Sequence, residues 1–516
     1  MKMGVTQMYT KCLAQGAYLI ESQGEAAIID PLRETQPYLD LIQQKNLKLK
    51  YIFETHFHAD FVSGHLTLSQ KAKAPIVYGP QANPAFDVII AKDGDIFQIG
   101  DLSIKVLHTP GHTLESSTYL LLDENHKEKA IFTGDTLFLG DVGRPDLAQK
   151  AANTTQEDLA AMLFDSLREK IMPLPNDLMV YPGHGAGSAC GKNMMDETQD
   201  TLGNQKKVNY ALNVTLTKDE FVKELTQGLL PPPAYFPLNV ALNKNGYQDV
   251  DLVLQNAQKP LEADEFYAQS KMENAVVLDV RTKDEFVQSH IPNAVFIGLD
   301  GTFAPWVGSL LVDTNTPILL EVNEPQLEET VLRLARVGFD NVLGYLKGGM
   351  NAWTAHSMEL QKIPSVEPNE LSEGLNMIDV RGIGEYKLGH VKGATNIALA
   401  ELPNKFSHMD RSKQIYLHCA TGYRSVIAAS LLQRNGFKKV INVLGGYEGI
   451  FYAPFHGLLT SLFSLSTKTT VGLYSFASAK LNCAKEIMIS ISPGTPFRAA
   501  APFKQISPLP LFPFMT

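Results

Sequence analysis

An internal repeat restricts the fold of this 516-residue chain more than any other feature. The segment LDVRTKDEFVQSHIPNA begins at Leu278, and IDVRGIGEYKLGHVKGA begins at Ile378. Asp279/Asp379, Arg281/Arg381, Glu285/Glu385, His290/His390 and Ala294/Ala394 coincide at an offset of 100 (379 − 279). A second pair of blocks, VGFDNVLGYLKGGMNAW and NGFKKVINVLGGYEGIF, follows in the same order. Identities in register followed by a second matching block mean duplication, so this part of the chain holds two copies of one domain of about 100 residues.

The residues before the repeat follow another pattern. Up to about residue 250, short β-rich runs alternate with loops and helical patterns: GAYLIE, AAIID, YIFETH, PIVYG, LSIKVLHT, SSTYLLLD, KAIFTGD and LMVYPGH all read as buried or half-buried strands. Histidines and acids cluster where several of these runs end, which is where layered α/β folds build sites. The segment LLPPPAYFPLN, Leu229 to Asn239, closes the region, and its three consecutive prolines predict an extended, non-helical connector. The expected domains are 1–250, 251–360 and 361–456, with a poorly ordered tail over 457–516. From about His456 onwards Glu486 is the only acid against five Lys or Arg, and six prolines crowd into Pro493 to Pro513. A membrane-surface or partner-docking segment is the alternative reading of that tail.

Composition removes several classes of function. A net charge of −10 argues against a nucleic-acid binder, which would carry a basic surplus. Four cysteines (Cys12, Cys190, Cys419, Cys483) make no disulfide framework, and fit a reducing cytoplasm in which a cysteine in a special setting is catalytic. The N-terminus has no uninterrupted apolar core of a signal peptide, and no apolar run reaches the roughly 18 residues of a membrane span. The expected location is the cytoplasm.

Four motifs carry the chemistry of the first region: THFHAD (His56, His58, Asp60), TPGHT (His112), FTGDTLF (Asp135) and YPGHG (His184). Together they resemble the metallo-β-lactamase fold, over most of residues 1 to 240. In hydrolases of that fold two metals hold a bridging hydroxide that attacks the substrate. The last histidine of the signature T-H-x-H-x-D-H is Phe61 here, and a phenyl ring offers no lone pair. A single-metal branch, the persulfide dioxygenases, uses one Fe(II) in a facial triad of two His and one carboxylate. The resemblance assigns the triad to His56, His112 and Asp135, with His58, Asp60 and His184 orienting ligands or hydrogen-bonding substrate. LGDVGRPD resembles the turn that follows the aspartate in these enzymes. Arg144 within it would order the loop or steer an anionic substrate, against the plainer reading of a structural salt bridge. Cys190, in GHGAGSACGKN, reads as a buried inert thiol, with a place beside the substrate channel as the alternative.

A second cysteine has a different setting. IYLHCATGYRSVIAASLLQRNGF runs strand, tight loop, helix, with a six-residue loop Cys419, Ala420, Thr421, Gly422, Tyr423, Arg424, and Ser425 opening the helix. Gly422 permits the backbone to curl its amides inward, and those amides, the helix N-terminus and Arg424 favour a thiolate or a bound persulfide. This resembles a rhodanese, a sulfurtransferase whose cysteine carries sulfane sulfur, and IDVR and LGGYEG match that family over about residues 365 to 455. In the first copy PILLEVNEPQLEE aligns with the loop and puts Glu321 or Val322 at the cysteine position, with Glu324 adding a further acid. That copy is expected to be inactive, a spacer or docking module, with Asp279, Arg281 and Glu285 structural in both copies.

The expected fold class is α/β: a metallo-β-lactamase αββα sandwich followed by two rhodanese α/β domains. The order of parts resembles multidomain bacterial sulfide-detoxification proteins. It implies a dioxygenase with one Fe(II) per chain, oxidising a low-molecular-weight thiol persulfide (of glutathione, coenzyme A or a similar thiol) with O2 to sulfite and free thiol. Cys419 would make or use thiosulfate, and a homo-oligomer is implied, dimers and tetramers being common in the family. Two other readings stand beside it: a binuclear-zinc thioester hydrolase of the glyoxalase II kind with accessory sulfurtransferase domains, and a non-enzymatic persulfide relay or sensor working through Cys419.

Overall fold

The computed structural model describes residues 4–147 and 154–452, so the tail expected over 457–516 lies outside the described residues. All eight apolar runs named above are strands. The first six-stranded sheet follows chain order: β1 (Gly4–Thr10), β2 (Gln15–Ser22), β3 (Glu25–Ile29), β4 (Lys48–Glu54), β5 (Ile76–Tyr78) and β6 (Ile89–Ile90). The second contains β7 (Ile96–Ile99), β8 (Leu102–His108), β9 (Ser117–Leu122), β10 (Glu128–Gly134), β11 (Met179–Pro182) and β12 (Asp200–Thr201), in the spatial order β12-β11-β10-β9-β8-β7. β1 is half-buried along its whole length and pairs only with β2, so it shows none of the in-out alternation by which a sequence announces a strand.

The period-two geometry of a strand sorts its side chains onto two faces. Along β2, Tyr18 and Ile20 point between the sheets, where they meet Phe53, Tyr119, Phe132 and Tyr181, while Ala17 and Leu19 belong to the layer outside. Leu68 of the helix His65–Ala72 covers that outer face, packing in one cluster with Ile28 of β3 and Ile52 of β4. On the other side Leu163 of the helix Gln156–Ser166 covers Leu120, Ile131 and Val180. Thr155 and Asp158 close a capping box at the start of this helix, satisfying end amides that would otherwise have no partner. The result is helix, sheet, sheet, helix.

The repeats form two five-stranded, all-parallel sheets. β13 (Pro260–Leu261), β14 (Val276–Asp279), β15 (Val295–Phe296), β16 (Ile318–Glu321) and β17 (Val342–Leu346) lie in the order β13-β17-β16-β14-β15. β18 (Ser365–Val366), β19 (Met377–Asp379), β20 (Thr395–Asn396), β21 (Ile415–His418) and β22 (Val440–Val443) lie in the order β18-β22-β21-β19-β20. The two orders are identical when strand numbers are shifted by five, the structural counterpart of the sequence repeat.

The expected extended connector ends early: a helix, Phe236–Asn245, starts inside it. Pro237 lies in the first turn, where a missing N–H breaks no helical bond, so proline there starts a helix rather than preventing one. Close by, Arg33 is fully buried where the first region meets the first repeat. Its guanidinium forks onto Asp340 at 2.6 and 2.7 Å, donates to the carbonyls of Ala335 and Gln248, and lies 4.9 Å over the Tyr247 ring. Among the described residues no helix is long and apolar enough to cross a membrane.

Candidate metal centre and thiol loop

The histidine and aspartate motifs follow the ends of β4, β8, β10 and β11, and the fold brings these ends together. Beyond β4 the chain turns on Asp30, whose carboxylate accepts from the Thr55 amide at 2.8 Å and the Thr55 hydroxyl at 2.9 Å. That hydroxyl has given its only hydrogen to Asp30, so its 3.0 Å contact with His56 Nδ1 has the imidazole as donor. His112 Nδ1 lies 2.8 Å from the Arg144 carbonyl, which can only accept. Both imidazoles are thereby held as the Nδ1–H tautomer, with the Nε2 lone pair free.

Both free lone pairs face one oxygen. Asp135 Oδ2 is 3.9 Å from His56 Nε2 and 3.4 Å from His112 Nε2. It is buried without a hydrogen-bond partner of its own. The ligand atoms of His56, His112 and Asp135 all lie within 4.8 Å of one another. Burial and the neighbouring His58 hold His56 well below the usual histidine range, so it is neutral. Burial alone would raise the Asp135 carboxyl, but the charge and hydrogen bond of His184 outweigh it and keep it ionised. Two imidazoles that present Nε2 and a carboxylate, converging on the same space, are the donor set a divalent cation requires.

Glycines make this closeness possible. A Cβ on Gly183 would stand 2.7 Å from Asp135 Oδ1, and one on Gly134, where φ is +48°, would stand 2.5 Å from Thr55 Oγ1.

The remaining motif residues point elsewhere. His184 bridges two carboxylates, its Nδ1 2.8 Å from Asp135 Oδ1 and its Nε2 2.8 Å from Asp60 Oδ2. Burial opposes charging His184, but Asp135 and Asp60 raise it well above the usual range, so it is an imidazolium. His58 packs its ring 4.3 Å from that of His56 but presents Nε2 to Asp30 and Glu54, at 3.1 and 3.4 Å. Burial would lower it, yet these acids push it up to about 10. Phe61 is fully buried and stacks on His58 with ring centroids 4.3 Å apart. Arg144 orders the loop: its guanidinium pairs with Asp146 at 2.6 and 2.7 Å and donates to the carbonyls of Ala189 and Leu230. Cys190 is buried beside Asp60 and His184, and burial first, then the charges of Asp60 and Asp135, drive its thiol far above the ordinary range. It is a thiol rather than a thiolate.

Asn243 escaped the sequence reading. Its Nδ2 donates to the carbonyls of His58 and Phe61 at 2.8 Å each, and its Oδ1 accepts from the Ser63 amide at 2.8 Å, so it clamps the turn that presents His56. Between 180 and 185 residues separate Asn243 from its partners in the turn, and no local pattern marks it. Asp30 and Glu54 were readable only as acids ending apolar runs.

The Cys419 loop lies in the second repeat. Cys419 is buried, and Gly422, at φ +110°, points its amide at Sγ from 3.1 Å. The amides of Tyr447 and Glu448 take the carbonyls of Cys419 and Ala420 at 2.7 and 3.1 Å, turning those oxygens towards the LGGYEG turn. The helix runs Tyr423–Arg434 with Gly422 as its cap, so it opens two residues before Ser425. Ser425 Oγ ties Gly422 O to Asn442 at 3.1 and 2.8 Å. Arg424, expected to stabilise charge on sulfur, forks onto Glu385 at 2.7 Å in both contacts, so its charge is already shared. In the first repeat Asp279 stands opposite Glu321 in β16, as Asp379 stands opposite His418 in β21. Glu321 is thus the counterpart of His418, and the cysteine position falls to Val322, which has no nucleophile.

Comparison with known proteins agrees with this layout. Residues 11–184 match the metallo-beta-lactamase superfamily, and residues 262–356 and 367–452 each match the rhodanese-like domain. The mitochondrial persulfide dioxygenase ETHE1 of Homo sapiens is 32% identical over 241 residues, covering 46% of this chain and 86% of that protein. A hydroxyacylglutathione hydrolase of Francisella philomiragia is 34% identical over 197 residues, covering 38% of this chain and 71% of that one. A crystal structure of a metallo-beta-lactamase from Staphylococcus aureus superposes with a TM-score of 0.59 at 30% identity, covering 67% of this chain and 99% of its own.

Proposed function

Because the chain belongs to the metallo-β-lactamase superfamily and continues into two rhodanese-like domains, we propose that it is an iron-dependent persulfide dioxygenase coupled to a sulfurtransferase. The observation that carries this reading is the direction of His58. A binuclear hydrolase needs three histidines around its first metal, but His58 is held by Asp30 and Glu54, leaving two histidines and one carboxylate. Phe61 fills the place of a further ligand, and Asp135 Oδ1 is taken by His184. Two His and one carboxylate with open positions is the donor set of mononuclear ferrous oxygenases.

His56, His112 and Asp135 would hold one Fe(II) per chain, which when bound supplies the redox chemistry between O2 and sulfur. The balance is R-S-S⁻ plus O2 plus H2O, giving R-SH, sulfite and one proton. The sulfane sulfur is oxidised, O2 is reduced, and the S–S bond breaks. Thr55 and the Arg144 carbonyl keep the two imidazoles in the tautomer that leaves Nε2 free. Asp60 and Asp135 hold His184 charged, and His184 in turn fixes the Asp135 carboxylate beside the cluster. At the second site the Cys419 thiolate would take the outer sulfur of thiosulfate, releasing sulfite and leaving Cys-S-S⁻, or run the reverse. The Gly422 amide points at Cys419 Sγ from 3.1 Å.

The rival reading, two-zinc thioester hydrolysis, is favoured by the similarity to the hydroxyacylglutathione hydrolase. Oxygen uptake with glutathione persulfide, together with metal analysis of the same sample, separates the two. About one iron per chain with sulfite release is expected. Two zincs per chain with thioesterase activity would overturn the proposal.

A further inference from the structure

We infer that Lys283, a residue of the first rhodanese-like domain, is the anion-recognition group of the Cys419 site, so that the copy without a nucleophile completes the donor site of the copy that has one. This rests on the sulfurtransferase reading of Cys419.

The helix behind the thiol loop is docked along its length on the first repeat. Tyr423 Oη donates to the Gly298 carbonyl at 2.7 Å, with its ring against Gly301, where any side chain would collide with it. Ser430 Oγ accepts from the Phe296 amide at 3.0 Å. Arg434 donates to the carbonyls of Asn293 and Ala275 at 3.0 and 2.9 Å. These contacts fix the first repeat against the mouth of the loop.

Lys283, in the first turn of the helix Lys283–Gln288, reaches across this seam. Its Nζ donates to the Thr421 carbonyl at 3.3 Å and lies 3.4 Å from where a Cβ on Gly422 would stand. The Gly422 amide in turn lies 3.1 Å from Cys419 Sγ. The ammonium is therefore at the rim of the loop that holds the sulfur.

The other cations nearby are already engaged. Arg424 is forked onto Glu385, Arg381 onto Asp379, and Arg333 is paired with Glu329. Among the described residues no carboxylate lies within 4.0 Å of Lys283 Nζ. An ammonium has three donors, and the Thr421 carbonyl uses one. The others are free for an anion entering beside Gly422. Thiosulfate suits the geometry: its outer sulfur goes to the thiolate at the base of the loop, while its sulfonate oxygens remain at the rim, where a flexible point charge can follow them. The glycine at 422 matters here too, because a Cβ there would stand 3.4 Å from the ammonium, at a φ of +110°.

The test is steady-state sulfur transfer from thiosulfate to cyanide by the full chain and by Lys283→Ala, Lys283→Arg and Lys283→Glu. Lys283→Ala is expected to raise KM for thiosulfate roughly 10-fold or more with kcat little changed, the loss of one hydrogen bond to a charged group. Lys283→Arg should recover most of it, and Lys283→Glu should be worse than alanine. Added salt should raise KM steeply in the parent protein and weakly in Lys283→Ala, because an exposed ionic contact is screened. A merely structural lysine would move the melting temperature and leave the salt dependence alone. Unchanged KM and salt dependence in Lys283→Ala and Lys283→Glu, with Cys419→Ser abolishing transfer, would overturn the inference while leaving the sulfurtransferase standing. Failure of Lys283→Arg to recover KM would overturn it as well. Transfer that survives Cys419→Ser would remove the premise and the inference together.

Discussion

Glu321 is a carboxyl buried where the active copy has His418, and its charge state follows from a count of its neighbours. Asp279 and Glu321 share one guanidinium, Arg281, with Glu285 also near. Arg281 serves Asp279 at close range, from Nε at 3.0 Å and from Nη2 at 2.5 Å, whereas Glu321 Oε1 is 3.6 Å away. Glu321 Oε1 accepts only the Met350 amide at 3.1 Å, and Oε2 has no partner. Burial first, then Asp279, pushes Glu321 up to about 8. The sign follows from the folded chain binding the proton more tightly than the unfolded chain, in which a glutamate titrates near about 4.3. The stabilisation is complete below about pH 4.3 and is lost as pH rises to about 8, by up to about 5 kcal/mol as a ceiling. Glu321→Gln keeps the shape and the acceptor for Met350 and cannot ionise. Thermal unfolding of both proteins from pH 4 to 9 is the assay. The two midpoints should nearly coincide at the acid end, and the variant should gain steadily up to about pH 8, by several degrees, since 1 kcal/mol moves a midpoint about 2–8 °C in domains of 60–250 residues. Parallel profiles, or a variant less stable at pH 9, would refute the reasoning and mean that Arg281 serves both carboxylates as ions.

Other outcomes follow from the same geometry. His112→Ala should cost the bound iron and at least about 100-fold of O2 uptake, as ligand loss does in metal sites, while thiosulfate-to-cyanide transfer continues; loss of both would deny two separate sites. Cys419→Ser should abolish sulfur transfer, spare O2 uptake and shift products towards sulfite, read by sulfite and thiosulfate chromatography. Asp340→Ala leaves Arg33 buried without its carboxylate, and unfolding should be easier by about 3 kcal/mol, at the low end for a broken buried pair because two carbonyls still accept from it; an unchanged melting temperature would deny that this pair fastens the first region to the first repeat. Phe61→His offers a ligand beside Asp60 and His184, and total metal bound per chain should rise from about one ion towards two by elemental analysis; an unchanged content of about one ion would deny that Phe61 closes a second metal position.

The sequence by itself determined the parts and singled out the residues on which the proposed chemistry rests. The offset between Asp279 and Asp379 announced two copies of one domain, and the eight apolar runs announced eight strands, because a buried strand must be apolar whatever surrounds it. His56, His112 and Asp135 were legible because each sits on a glycine- or threonine-containing turn directly after such a run, and Cys419 because a loop followed by a helix is a local pattern. Tertiary structure decided what each group is free to do. Both His58 and Arg424 look available in a string of letters, and both are engaged, one by Asp30 and Glu54 and the other by Glu385. Asn243 clamps a turn far away in sequence, and Lys283 meets the thiol loop of the other copy. Hydrogen bonding and charge pairing are settled by distances of about 3 Å in space, and for contacts between segments distant along the chain those distances exist only once the sheets have packed.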